Sequence, residues 1–210
     1  MLAARNRLVV PVSASAPITY SDTGAGTKGG ASTWTYTHSG IAGNCILVFV
    51  SSGPNVATIT AKVGGSSGTP MTQIGSNLQF VSGSVLAIFS LLNSGLTGSQ
   101  TIYLSSSSPS YPAVNSISYK NVSSVSSLVT NTGTGTAATI SLSPSASQLA
   151  VAAFSAYSAQ NISSASPNQR FNISAVNYGN FPLAAADGTT SPSATLPSSV
   201  QWGAAGVLLS

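Results

Sequence analysis

Apolar positions along the chain come in short runs, separated by clusters of Gly, Pro, Asn and Ser. Residues 32–38 (Ser-Thr-Trp-Thr-Tyr-Thr-His) alternate larger and smaller side chains, and 43–52 form a continuous apolar run after Gly43-Asn44. Residues 57–63 alternate up to Gly64-Gly65, 70–80 read as a hairpin around Gly75-Ser76-Asn77, and 85–92 are again apolar. Further strand-like segments fall at 99–105, 113–120, 124–131, 137–143, 148–157, 168–178 and 198–209. No segment sustains the helical period of about 3.6 residues, and β-branched residues abound, so no helix longer than about two turns is expected. Short strands with turn chemistry between them predict an all-β chain, an antiparallel β-sandwich of jelly-roll-like form.

Strands 45–50, 85–92 and 148–154 are apolar on successive positions, which predicts burial on both faces, and 207–209 is a fourth candidate. Segment 113–120 alternates and predicts one wet face. Ser105–Pro109, Thr132–Thr136 and the glycine-rich 21–31 read as loops. Residues 1–17 read as an extended N-terminal arm and 18–210 as a single sandwich domain, with 13–17 (SASAP) as the joint. The start loosely imitates a signal peptide, but its apolar patch is short and contains Pro11, so it reads as part of the mature arm. No run approaches the roughly 18 apolar residues of a membrane span.

Composition narrows the choice further. Only 4% of the 210 residues are charged, against roughly 25% in an ordinary soluble domain, and Glu is absent. The surface must therefore consist of Ser, Thr, Asn, Gln and Gly, which repels neighbouring copies weakly and suits a protein that packs in an assembly. The net charge of +4 rests on scattered residues, of which only Arg5 and Arg7 lie close together, so a nucleic-acid footprint is not expected. Cys45 is the single cysteine and sits in an apolar run, which excludes an internal disulfide and predicts a small buried side chain.

Several blocks then resemble one family. They are GAGTKGGASTWTYTHSG (24–40), GNCILVFVSSG (43–53), ITAKVGGSSGTPMTQIGS (59–76), LAIFSLLNSGLTGSQTIYLS (86–105), VNSISYKNVSSV (114–125) and WGAAGVLLS (202–210). In this order they resemble a β-sandwich domain recurrent in secreted bacterial proteins and in minor tail proteins of actinobacteriophages of the mycobacteriophage type. The departure is Asn93-Ser94-Gly95, where the family carries a Pro-Pro turn. The resemblance implies a virion part, in the tail rather than on the capsid surface, that becomes extracellular after host lysis. It supplies no catalytic residues.

The inventory of reactive side chains is short. Asp22 and Asp187 are the only acids, and both read as turn residues, Asp187-Gly188 as a hairpin turn. A glycosidase needs two carboxylates held at a set separation. A Ser-His-Asp triad has only His38 to draw on, and no Gly-x-Ser-x-Gly elbow exists. One His, one Cys and two dispersed Asp make no zinc or calcium site. The expectation is therefore no enzyme, no cofactor and no metal.

The remaining signals concern surfaces. Trp34 and Trp202 fall in strands and read as core, whereas Tyr111, Tyr157, Asn161, Tyr178 and Phe181 fall in loop-like stretches and read as glycan or receptor contacts. In the arm, Arg5, Arg7, Leu8, Val9 and Val10 read as an inter-subunit contact that could add to a neighbour's sheet edge. The expected partners are other virion proteins, further copies of the chain and host cell-envelope glycans. The alternatives are a capsid decoration or head-fibre protein and a secreted carbohydrate-binding module.

Overall fold

The computed structural model describes residues 16–53, 58–92, 95–174 and 180–210. The contacts proposed in the arm, at Arg5, Arg7, Leu8, Val9 and Val10, and the proposed contact Tyr178 lie outside the described residues. Among the described residues there are sixteen strands and no helix. They are β1 (Thr19–Thr23), β2 (Thr27–Lys28), β3 (Ala31–Ile41), β4 (Cys45–Ser52), β5 (Ile59–Val63), β6 (Thr69–Pro70), β7 (Thr72–Gln73) and β8 (Val85–Leu92). There follow β9 (Gly98–Ser110), β10 (Ala113–Lys120), β11 (Val129–Thr139), β12 (Leu149–Ala156), β13 (Ser164–Ser166), β14 (Asn168–Ile173), β15 (Leu183–Gly188) and β16 (Ser193–Leu209).

The antiparallel sandwich read from the sequence is built of three layers. A central sheet runs β1-β10-β4-β8-β7, with β2 also on β10. One outer sheet runs β11-β16-β12-β15-β14 with β13 on β16, and the other runs β3-β9-β5-β6. The two-residue period of a strand explains the layering. In β4, Cys45, Leu47 and Phe49 point to the β12–β16 sheet, while Ile46, Val48 and Val50 point to the β3–β9 sheet. In β8, Leu86 and Ile88 take the first side and Val85, Ala87 and Phe89 the second. A strand covered on both faces has no use for polar alternation, which is why 45–50 and 85–92 read as unbroken apolar runs.

The β12–β16 sheet is also covered twice. Val151, Ala153, Leu183, Ala185, Ala205 and Val207 face the central sheet. Ala150, Ala152, Phe154, Ala184, Ala186 and Ala204 face a third core with Ile140, Leu142, Leu196 and Trp202. That core closes because β16 serves two places. Its first residues pair with β13 and the end of β11, and its last ten pair with β12 and the start of β11. The many alanines let these layers approach closely around the larger rings. Gly203 meets the same demand: a methyl group there would lie 2.6 Å from the Phe80 ring. Gly203→Ala is expected to cost about 1–3 kcal/mol by overpacking, read as a lower urea midpoint at unchanged slope.

Several local readings are corrected. Segment 113–120 has no wet face: β10 lies between two covered layers, and its side chains are buried from Ala113 to Tyr119. The glycine-rich 21–31 is not one loop, since it holds the end of β1, all of β2 and the start of β3. Thr132–Thr136 is not a loop but the middle of β11, paired with β16 from Thr132 to Gly135 and irregular at Thr136; Gly133 lies opposite Trp202, whose indole ring occupies the space a side chain would need. Ser105–Pro109 is likewise strand, because β9 continues to Ser110. Residues 70–80 do not form a hairpin: β6 pairs with β5 in one sheet, Met71 donates its N–H to Ala61, and β7 then pairs with β8 in the next. The chain changes layer at Met71.

Candidate functional site

The reactive side chains of the sequence are found inside the layers. Asp187 is not in a hairpin turn. It lies in β15, opposite Val151 of β12 and Asn168 of β14, and its side chain is fully buried. Arg170 of β14 grips it with both arms, Nε to Oδ2 at 2.8 Å and Nη2 to Oδ1 at 2.8 Å. The Tyr119 hydroxyl, from β10 of the central sheet, donates to Oδ2 at 2.8 Å. The guanidinium carbon of Arg170 sits 3.9 Å from the centre of the Tyr20 ring, and Tyr20 meets Tyr119 edge-on at 6.4 Å. Burial, and then the Asp187 charge, push the Tyr119 hydroxyl well above its ordinary pKa, so it stays a donor. The group is a charge-assisted clamp between two sheets, with the Arg170 and Tyr119 hydrogen bonds both on Oδ2, and Oδ1 held by the ion pair alone. Its carboxylate has no spare face for a substrate.

His38 is enclosed in the same way. It points inward from β3 with no exposed surface, Nδ1 2.8 Å from Ser116 Oγ and Nε2 3.1 Å from Ser118 Oγ, both on β10. Ser118 Oγ in turn reaches the Asp22 carbonyl oxygen at 3.4 Å. Burial lowers the imidazole pKa to about 4, against an opposing pull from Asp22, so the neutral ring donates from one nitrogen and accepts at the other. His, Ser and Asp are therefore neighbours, yet a general base must reach the proton it takes from a substrate, and this ring touches no solvent. Asp22 itself is in β1, not in a turn. The Cys45 thiol is buried among apolar side chains, which pushes it up to about 12. Among the described residues, no group of three or more His, Cys, Asp or Glu side chains comes together to hold a metal ion. Among them, too, no helix is long and apolar enough to cross a membrane.

The loop residues proposed as surface contacts separate into two kinds. Tyr111 is 47% exposed and lies against Gly30, beside the Ala31–Ser110 end of the β3–β9 pair. Tyr157 is 52% exposed and Asn161 is exposed. Phe181 is not a surface contact: it is 3% exposed and packs edge-on to Phe80 at 5.9 Å, with the Tyr157 ring 5.5 Å away on the outside. An aromatic without a polar tip gains most from the core, and Asn180, at φ 58, turns the chain inward just before it. Trp34 and Trp202 are core, as read from their strands. Open depressions elsewhere are neutral or nearly so. One of about 350 Å³ lies between Gly75–Leu78 and Ser127–Thr130, and one of about 310 Å³ beside Asn44, Lys120 and Asn121.

One surface escaped the sequence reading. The outer face of the β3–β9–β5 sheet carries Thr33, Thr35 and Thr37, then Ser105, Tyr103 and Thr101, then Thr60 and Lys62, in register. The alternation of residues 32–38 held the signal for its first row, and the other rows lay in segments of low contrast. The chain was compared with family models, curated proteins and solved structures, and nothing matched.

Proposed function

We propose that the chain is a structural protein of a tailed-phage virion, a minor tail or tail-tip component that packs with neighbouring subunits and contacts the host envelope. The observation that carries this reading is where the reactive groups are spent. Asp187, Arg170 and Tyr119 clamp two sheets, His38 is caged by serines, and Cys45 is core. What faces outward is mostly neutral, hydroxyl-rich sheet and a few aromatics, a surface suited to contact rather than turnover. The sequence blocks that resemble phage tail domains support it in order. They fall on β2–β3, β4, β5–β7, β8–β9, β10 and the end of β16. β11, whose long outer edge carries no charged side chain, is a ready surface for a neighbouring strand.

The test is immunogold labelling of purified particles of the phage that encodes the chain. Gold on the tail or tail tip is the expected result. Gold on the head would replace the tail reading by capsid decoration, and unlabelled particles would overturn the virion reading altogether.

A further inference from the structure

Three packed sheets have six faces. Both faces of the central sheet and both faces of the β12–β16 sheet are covered by apolar side chains, as is the inner face of the β3–β9–β5 sheet. Among the described residues, the outer face of that last sheet is the one left uncovered. Its inward partners Trp34, Tyr36, Ile102, Leu104, Ile59, Ala61 and Val63 anchor it to the core.

The outward side chains form crosswise rows. Thr33, Ser105 and Thr60 make the first row, tied by a 2.7 Å hydrogen bond between Ser105 Oγ and Thr60 Oγ1. Thr35, Tyr103 and Lys62 make the second, and Thr37 and Thr101 the third. With strands about 4.8 Å apart and like-facing residues about 6.8 Å apart, the patch measures roughly 10 Å by 14 Å. Its only charge is Lys62, whose ammonium is drawn aside to the Ser66 carbonyl at 2.6 Å. The half-buried Tyr103 ring stands at the centre.

Such a face selects its partner by chemistry. A nucleic acid or an anionic lipid surface would require several cations, and one diverted lysine does not supply them. A second copy packed face to face would have to bury every hydroxyl with a partner, whereas sheets that stack on one another do so with apolar side chains. Donors and acceptors without charge around one aromatic ring suit a ligand that is itself neutral, hydroxyl-bearing and faced with C–H groups. We infer that the outer face of the β3–β9–β5 sheet is a binding surface for a neutral polysaccharide, with Tyr103 as its platform. The inference deepens the envelope-contact part of the proposed function and moves that contact from the loop aromatics to the sheet.

The experiment is native affinity electrophoresis of the full chain, run toward the cathode as its pI near 9.5 requires, through gels containing dextran, mannan, galactan or hydroxyethyl cellulose. Retardation by at least one of them is expected, weakened about tenfold in Tyr103→Ala, Thr35→Glu and Thr35→Lys and unchanged in Tyr157→Ala. The inference is overturned if none of the four retards the wild-type chain. It is equally overturned if retardation survives in those face variants while their thermal unfolding matches wild type. Retardation only in a parallel heparin gel, strengthened in Thr35→Lys, would also overturn it by showing an anionic partner. Gold labelling of particles carrying Thr35→Glu separates the two claims: labelled particles that have lost glycan binding leave the virion reading standing, and unlabelled wild-type particles remove it whatever the gels show.

Discussion

Replacing Arg170 by alanine is expected to destabilise the fold by about 3–5 kcal/mol, a large fraction of the roughly 5–15 kcal/mol that holds a typical domain together. The reason is what the substitution leaves behind. Asp187 has no exposed surface, and two of the three donors facing its oxygens belong to Arg170. Without the guanidinium, the carboxylate stays between two sheets with only the Tyr119 hydroxyl. That one surviving bond places the loss toward the lower half of the range. The reverse substitution, Asp187→Ala, should cost less, because the Arg170 side chain is already 23% exposed and can turn to water. Removing both charges at once, as Arg170→Met with Asp187→Leu, should recover much of the loss. Urea midpoints of the three variants check the order. Lys120, exposed at the end of β10, is the control, and its replacement by alanine should stay within about 0.5 kcal/mol. An Arg170→Ala variant as stable as that control would show that the clamp holds nothing.

Acidification is expected to remove about 3 kcal/mol of stability between pH about 6.5 and about 4, through His38. The unfolded chain binds a proton at this histidine below its ordinary pKa of 6.5, whereas the folded chain refuses it until about 4. Across that window the unfolded state holds more protons, so stability falls as pH falls and is fully present only above pH 6.5. Each pH unit of displacement is worth about 1.4 kcal/mol, which sets the size of the effect. Burial is the main cause, and the Asp22 charge works against it. His38→Gln keeps hydrogen-bonding atoms near Ser116 and Ser118 but cannot titrate. Chemical unfolding at pH 7 and pH 4 should therefore show a difference smaller by about 3 kcal/mol in that variant than in the native chain. Equal differences in the two proteins would mean that His38 is not held neutral by the fold.

How far the sequence revealed this arrangement depended on how local each signal was. The run 45–50 announced a strand buried on both faces, and it is the strand between two cores. Trp34 and Trp202 could be placed from their strand patterns alone. Where the structure differs, the cause is the same: turn chemistry is local, whereas a distant partner decides the conformation. Asp187-Gly188 carries a hairpin signal, but its partners Arg170 and Tyr119 lie 17 and 68 positions away in the chain. Gly133 and Gly135 disguised β11 as a loop, although Gly133 is required by the Trp202 ring across the ladder. The cage of His38 joins residues 78 and 80 positions apart. The outer hydroxyl face was hidden for a different reason. Ser and Thr satisfy strand, loop and surface equally well on a per-residue basis, and only the register of β3, β9 and β5 turns them into rows.

Near absence of charge thus has two structural counterparts. Among the described residues, Asp187, Arg170 and His38 serve as internal fasteners, and the outside is mostly neutral hydroxyls with a few separate lysines, one uncovered sheet face and one long edge strand. Electron cryomicroscopy of intact particles of the tailed phage proposed to carry the chain tests that picture most directly. The expected map shows several symmetry-related copies of the three-layer fold at the tail, with the Thr35–Tyr103 face turned to solvent. A map with no such fold on the particle, or with that face sealed against a head protein, would contradict it.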